Sequence, residues 1–158
     1  MEFEPAAADL SLAAQFAGWA MADEIQRRIA GDGFADIRFA DGFVFQHLVG
    51  GAITIGVLAE RLGVTQQAAS KSVADLERRG YVQRTADPDD ARARRVALTP
   101  RGEGAIAAAR EHRAALATEL AERLGERRVE AARRLLLDVI ADLGGEPAVR
   151  GRRVRPPR

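Results

Sequence analysis

The chain has 158 residues, a formal net charge of +1 and no cysteine. This length fits one domain with appended helices, and the lack of cysteine excludes disulfides, thiolate nucleophiles and cysteine-ligated zinc. The charge is uneven, because residues 1–60 carry −6, residues 61–101 carry +4 and residues 102–158 carry +3. A basic middle and tail favour an anionic partner such as nucleic acid.

Two helices are predicted before residue 50. Apolar residues recur at three- and four-residue steps over about residues 9–29, and Gly31 and Gly33 break the pattern. A second helix is predicted over about residues 38–48, ended by Gly50 and Gly51. The N-terminal segment is acidic where a signal peptide is basic, and no apolar run reaches the roughly 18 residues of a membrane span. We therefore expect a soluble, cytoplasmic protein with no membrane partner.

The segment Thr54–Gly80 has the pattern of a helix, a tight turn and a second helix. Thr54 is placed to cap the first helix, whose apolar residues recur at i, i+3, i+4 and i+7. Gly63 closes that helix, Thr65 caps the next one, and Gly80 occupies the position of a left-handed C-terminal cap. This arrangement predicts a helix-turn-helix, which places its second helix in the major groove of DNA.

One face of the second helix carries short polar side chains, opposite an apolar face formed by Ala69, Val73 and Leu76. Glutamine pairs with adenine edges, lysine reaches guanine or phosphate, and the hydroxyls of serine and threonine bond phosphate. DNA contacts are therefore predicted for Thr65, Gln66, Gln67, Ser70 and Lys71. The alternative for Lys71, the only lysine of the chain, is a solvated surface side chain.

Two extended segments, about residues 82–85 and 94–98, flank a strong turn signal at residues 87–90 and predict a β-hairpin. Near its tip, Arg92 is suited to a narrow minor groove, and Asp90 is suited to pair with an arginine and hold the hairpin in shape. Further DNA contacts are predicted for the strand residues Arg84, Arg94 and Arg95. Without the preceding helix pair, an ordinary charged hairpin would be the preferred interpretation.

Two long helices are predicted in the last third, over about residues 100–121 and 126–143. Thr99 is suited to cap the first of them, with Pro100 at its first position. At ~1.5 Å per residue this helix is about 30 Å long, too long for a small winged domain to cover. Its apolar stripe therefore needs a partner, and we expect a homodimer.

The predicted fold is mainly α-helical with a small β-hairpin wing. We expect a domain over residues 9–143, made of a winged helix-turn-helix over about residues 38–99 and of dimerisation helices over about residues 9–30 and 100–143. Residues 1–8 and the basic tail, residues 144–158, are expected to be disordered. The arginines of the tail either add non-specific DNA affinity or belong to a solvated terminus, and the second interpretation is favoured.

The run TIGVLAERLGVTQQAASKSVADLERRGYVQR, followed by DPDDARARRVALTPRG, resembles the MarR (multiple antibiotic resistance regulator) family. Asp90-x-Arg92, followed by Leu98-Thr99 and Gly102, is similar to the wing signature of that family. The resemblance covers about a third of the chain closely. It implies a two-fold dimer that binds a pseudo-palindromic operator in double-stranded DNA, with the same contacts on the second helix and one at Arg92.

Family members commonly repress nearby genes and release DNA when a small, often aromatic, ligand binds. In MarR-like folds the first two helices border the cleft between the dimer core and the DNA-binding lobe. One hypothesis therefore assigns ligand contacts to Phe16, Trp19, Phe39, Phe43 and His47. The favoured alternative is that these side chains are core packing. The cysteine of the redox-sensing branch and the clustered ligands of the metal-dependent branch are missing, so no metal or cofactor is expected.

Other functional classes fit less well. The chain has no nucleophile elbow, phosphate-binding loop, dinucleotide fingerprint or zinc-protease motif, so no enzyme is expected. Two alternatives stay open, a winged helix that binds protein and a non-specific architectural DNA-binding module, both without a ligand. A protein-binding winged helix should present an apolar surface where this chain has glutamine, serine and lysine.

Overall fold

The computed structural model describes residues 9–87, 94–145 and 147. The helices in these ranges are α1 (Leu10–Ile29), α2 (Asp41–Leu48), α3 (Ile55–Leu62), α4 (Gln66–Arg78), α5 (Pro100–Leu124) and α6 (Glu126–Asp142). The strands are β1 (Ile53–Thr54), β2 (Val82–Ala86) and β3 (Arg94–Leu98). The prediction of a mainly α-helical fold with a small hairpin is confirmed. Residues 1–8, most of the basic tail, and Asp90 and Arg92 of the predicted hairpin tip lie outside the described residues.

Side-chain caps fix where four of the helices begin. Oδ1 of Asp9 accepts the N–H of Leu12 at 2.9 Å at the start of α1. The three caps predicted from sequence, Thr54, Thr65 and Thr99, each accept an N–H three residues ahead. Pro100 occupies the first position of α5, as predicted. Each cap satisfies a backbone donor that the helix itself leaves unpaired.

Two local features differ from the predicted helix boundaries. A π-helical turn, Ala30–Phe34, continues α1, and Gly33 within it has a φ of 94°, a value that favours glycine. Helix α2 begins at Asp41, three residues later than predicted. The reason is local, because the Asp41 carboxylate accepts the N–H of Arg38 at 2.8 Å while the N–H of Asp41 donates to the Arg38 carbonyl.

The sheet has three antiparallel strands in the order β1-β3-β2. β2 and β3 form the predicted hairpin, with Val82 opposite Leu98 and Ala86 opposite Arg94. β1 pairs with the other edge of β3, where Ile53 lies opposite Val96. The sequence analysis did not predict β1, because two residues are too few to show the alternation that identifies a strand.

The core lies between α2, α3, α4 and the sheet. Its largest fully buried side chains are Tyr81, Leu48, Leu58, Leu76, Val73, Val82 and Val96. The apolar face predicted for α4 is confirmed, since Ala69 and Val73 are 0% exposed and Leu76 is 1% exposed. The amphipathic pattern of the helix pair is therefore explained by packing against this core.

The prediction of an exposed apolar stripe on α5 is wrong for a single chain. Helix α5 packs along α1 of the same chain and against α6, and Leu116 in its middle is only 6% exposed. Large exposed apolar side chains instead cluster on α1, at the end of α5 and on and just after α6. They are Leu10, Leu12, Phe16, Trp19, Met21, Leu124, Leu135, Leu136, Leu137 and Leu143.

None of the helices in the described ranges combines the length and the apolar character that crossing a membrane requires.

Candidate nucleic-acid interface

Helices α3 and α4 pack against each other across a tight turn. Gly63 ends α3 with a φ of 68°, and the N–H of Val64 donates to the carbonyl of Ala59 at 3.1 Å. The next residue, Thr65, then begins α4 through its side-chain cap. Because only a left-handed residue lets the chain reverse so quickly, this glycine sets the angle between the two helices.

The first turns of α4 present a polar face to solvent. Gln66, Gln67 and Lys71 are exposed, and Ser70 is half-buried at the edge of the same face. Among the described residues, neither Gln67 nor Lys71 has a hydrogen-bond or ion-pair partner. Both side chains are therefore available to an external ligand, on the side of α4 opposite its buried residues.

Thr65 and Gln66 have local neighbours in addition. The hydroxyl oxygen of Thr65 accepts the N–H of Ala68 at 3.1 Å, which leaves its O–H free to donate to a phosphate. The amide of Gln66 lies over α3, since its Nε2 is 3.5 Å from the position that a Cβ on Gly56 would occupy. A methyl group at residue 56 would therefore make an ordinary van der Waals contact with this glutamine.

The arginines of the hairpin strands differ in their pairing. Nη1 of Arg84 lies 3.0 Å from a carboxylate oxygen of Glu77, which ties β2 to α4. Nε of Arg95 donates to Asp87 at 2.6 Å. Arg94 is exposed. The two paired guanidinium groups are partly engaged within the fold, so Arg94 has the freest side chain of the three for a phosphate.

Asp87 is a structural residue of the hairpin that the sequence analysis missed. It is 8% exposed and follows β2 directly, next to the Ala86–Arg94 pair. Its carboxylate holds Arg95, the kind of internal pairing that was predicted for Asp90. A signal was available in the sequence, because Asp87 follows the last residue of β2 and the antiparallel strand β3 begins with two arginines.

A second feature that the sequence analysis missed is an ionic cluster behind the polar face of α4. The Arg79 side chain is 11% exposed and donates to both carboxylate oxygens of Asp41, at 2.7 and 3.0 Å. It also donates to Asp75 at 2.7 Å. Hydrogen bonding to Asp41 outweighs burial and raises the pKa of Arg79. Burial alone would raise the pKa of Asp75, but the hydrogen bond from Arg79 and nearby arginine charges lower it.

Four of the five residues of the ligand hypothesis form two separate aromatic pairs. Phe16 and Trp19 meet edge to face on α1 with centroids 5.4 Å apart, and Phe39 and Phe43 do so at 5.5 Å at the start of α2. Phe16, Trp19 and Phe39 are 49%, 52% and 61% exposed, so core packing does not describe them in a single chain. His47 is 6% exposed and fits the core interpretation.

A cleft of about 320 Å³ lies elsewhere, between the end of α2, β3 and α5. None of the five residues of the ligand hypothesis lines it, whereas Val49, Leu98, Ile106 and Arg110 do. Within the described ranges, no group of three or more histidine, aspartate or glutamate side chains is arranged to hold a metal ion.

Comparisons with known proteins find one family match and many solved structures with the same fold. A family model described as "MarR family" matches residues 43–93, which span the helix-turn-helix and β2 and end just before β3. No curated protein matches the chain. Many solved structures do match. One is the transcriptional regulator Tm0710 from Thermotoga maritima, which is 26% identical to this chain and has a TM-score of 0.59. The match covers 84% of this chain and 89% of that chain.

Two further structures share the fold at lower identity. RV1404 from Mycobacterium tuberculosis has 22% identity and a TM-score of 0.73 over 89% of this chain and 95% of its own. Streptococcus pneumoniae FabT, solved in complex with DNA, has 21% identity and a TM-score of 0.65 over 85% of this chain and 93% of its own. The family match over residues 43–93 and the fold shared with these structures support a winged-helix regulator of the MarR type.

Proposed function

We propose that the chain works as a homodimer that binds operator DNA in a sequence-specific manner and regulates transcription without catalysing a reaction. The observation that carries this proposal is the polar, exposed face at the start of α4, backed by side chains that are fully buried in the core. In a helix-turn-helix, a helix with one exposed polar face and one buried apolar face enters the major groove with its N-terminal residues first. The FabT structure, which has the same fold, contains DNA.

The proposed contacts fall into two groups. On α4, Gln67 and Lys71 read base edges, while Thr65, Gln66 and Ser70 contribute phosphate or base contacts. On the hairpin, Arg92 enters the minor groove, while Arg94 and, to a smaller extent, the paired Arg84 and Arg95 contact phosphates. The winged-helix lobe, about residues 38–99, carries both groups.

The dimer is proposed from the exposed apolar side chains of α1 and α6. Trp19 and Leu143 are 52% and 78% exposed, and large apolar patches of this kind mark interaction sites. A second copy of the chain covers both helices if the N- and C-terminal regions of two protomers pack together around a two-fold axis. Two α4 helices about 34–36 Å apart would then read a pseudo-palindrome.

The finer role is that of a repressor released by a small organic ligand. The cleft between α2, β3 and α5 supports this part of the proposal better than the aromatic pairs do, because it joins the winged lobe to a long helix. A ligand bound there would favour one spacing of the two lobes over another, and so weaken DNA binding.

Substitution of Lys71 tests the proposed interface. Lys71→Ala should weaken binding to a duplex from upstream of the chain's own gene by about 5- to 150-fold if the lysine reads a base, and leave binding to a scrambled duplex nearly unchanged. Fluorescence anisotropy measures both. Arg27→Ala is the control, since Arg27 is an exposed cation on α1. Equal effects of the two substitutions would contradict the assignment of α4 as the DNA-reading helix.

A further inference from the structure

We propose that Asp36 forms a joint between the winged-helix lobe and α5. Arg79, Tyr81 and Arg101 act as positioning residues that hold the recognition helix α4 at one angle to α1 and α5. The role in DNA binding rests on the function proposed above. The joint itself is a property of one protomer, and it can be tested without DNA.

The first half of the joint holds the end of α4. Arg79 follows the last residue of α4, and its Nη1 donates to the backbone carbonyl of Asp36 at 2.7 Å. The same guanidinium binds Asp41 at the start of α2 and Asp75 within α4. Four N–H···O contacts fix its plane, and Nε is buried without an acceptor among the described residues. A planar fork held in this way resists rotation of α4.

The second half of the joint holds the start of α5. Arg101 is the second residue of α5, and its Nη2 lies 3.1 Å from the Asp36 carboxylate and 3.0 Å from the Tyr81 hydroxyl. The hydroxyl of Tyr81 donates to the same carboxylate of Asp36. Asp36 therefore binds α5 through its side chain and α4 through its main chain.

The ring of Tyr81 fills the space between these contacts. Tyr81 is 0% exposed, and the Arg101 guanidinium lies over its ring at 4.7 Å while Arg79 lies at 5.8 Å. Phe34, which ends the π-helical turn after α1, packs against the same ring at 6.4 Å. One buried ring thus contacts the groups that come from α4, from α5 and from the segment between α1 and α2.

The location of this joint explains its proposed effect. Asp36 lies between the π-helical turn and α2, where the chain passes from the scaffold helix α1 into the winged lobe. Two packed arrangements of such an ionic joint would correspond to two lobe angles, because ion pairs of fixed geometry break and re-form rather than stretch. In a dimer, the lobe angle sets the distance between the two recognition helices.

The test measures the distance between α4 and α5 directly. The chain has no cysteine, so Ala74→Cys on α4 and Arg113→Cys on α5, both exposed, accept spin labels selectively. Double electron–electron resonance on labelled chain diluted with unlabelled chain gives the distance distribution within one protomer. Asp36→Ala and Arg101→Gln should widen that distribution by about twofold or more, or shift its mean. Arg27→Gln, which breaks an exposed ion pair on α1, should not.

An unchanged distribution in both cluster variants, with native circular dichroism, would overturn the proposal. Arg101→Lys guards against a folding defect, because it keeps the charge and loses only the planar fork, and it should also widen the distribution. A DNA-binding experiment would compare two operators, one with the native half-site spacing and one with that spacing changed by one base pair. Arg101→Gln should reduce the affinity ratio between them by about tenfold. Failure of the unsubstituted chain to bind DNA would count against the proposed function, while the distances would still decide whether the joint exists.

Discussion

At the scale of single residues, the pKa of the buried Tyr81 phenol departs clearly from that of a free tyrosine. Burial is the main cause that raises its pKa to about 12, and the hydrogen bond to Asp36 adds to it. The same hydrogen bond lowers the pKa of Asp36, with help from Arg101. Each shift stabilises the native protonation state, in which a neutral phenol donates to an ionised carboxylate.

The pH dependence of stability follows from the sign of each shift. The tyrosine pKa is raised, so its contribution is fully present below the unfolded value of about 10 and is lost as the pH rises toward about 12. Two pKa units correspond to roughly 3 kcal/mol of unfolding free energy. The Asp36 pKa is lowered, so its contribution is present above about 3.9 and is lost as the pH falls below that value.

A phenolate titration by ultraviolet absorbance checks this directly, because Tyr81 is the only tyrosine of the chain. We expect a midpoint near pH 12 in the native protein and near pH ~10 in denaturant. Arg101→Gln should raise the native midpoint further, since Arg101 lowers the pKa of Tyr81. Equal midpoints in native buffer and in denaturant would contradict the buried hydrogen bond to Asp36.

At the scale of elements, the crossing of α5 over the start of β2 depends on one glycine. A Cβ on Gly102 would lie 2.2 Å from the carbonyl oxygen of Tyr81 and 3.1 Å from Leu98. Gly104, two residues later on a different face of the helix, would place its Cβ 3.6 Å from Phe34, an ordinary contact. The close approach of α5 to the sheet therefore requires glycine at residue 102 and not at residue 104.

Alanine at each of these two positions gives a matched comparison. Gly102→Ala should lower the unfolding free energy by about 1–3 kcal/mol or more, because backbone must move to admit the methyl group. Gly104→Ala should be neutral or stabilise by up to about 1 kcal/mol through helix propensity. Urea denaturation followed by circular dichroism measures both. A similar loss in the two variants would argue that α5 does not approach β2 so closely.

Sequence patterns predicted the elements where a local signal existed. The threonine caps, the left-handed Gly63 and the buried face of α4 all follow from local rules. The late start of α2 does not, since it depends on the local contact between Asp41 and Arg38, which helical periodicity does not show. The strand β1 does not either, since it is too short to show a period and pairs with a strand about 40 residues away. The ionic cluster around Arg79 was missed for a similar reason, because Asp36 and Asp41 lie about 40 residues away in sequence.

At the scale of the whole molecule, apolar side chains remain uncovered on α1 and α6. The uncovered apolar stripe was predicted on α5, because the length of a helix does not show whether other helices of the same chain cover it. The candidate DNA-binding residues of α4 could be predicted, since the helical period of about 3.6 residues places them on the face opposite the core. Roles at the hairpin were harder to assign, because pairing of Arg84 with Glu77 and of Arg95 with Asp87 appears only in three dimensions.

A charge placed on the exposed apolar surface of α1 and α6 should disrupt the proposed dimer. Trp19→Glu or Leu136→Glu should convert the dimer to a monomer at micromolar concentration, because an unpaired carboxylate would be buried at the interface. Light scattering coupled to size-exclusion chromatography measures the mass. Val57→Glu is the control, since Val57 is 37% exposed on α3, away from α1 and α6. A monomeric unsubstituted chain, or dimers in all three variants, would contradict the proposed interface.

The most direct test of the central claim is the DNA preference of the unsubstituted protein. Fluorescence anisotropy would compare a duplex from upstream of its own gene with a scrambled duplex of equal length, both at about 150 mM salt. The account predicts tighter binding to the upstream duplex by roughly a thousandfold or more. Absence of binding to either duplex, by protein shown to be folded and dimeric, would contradict it.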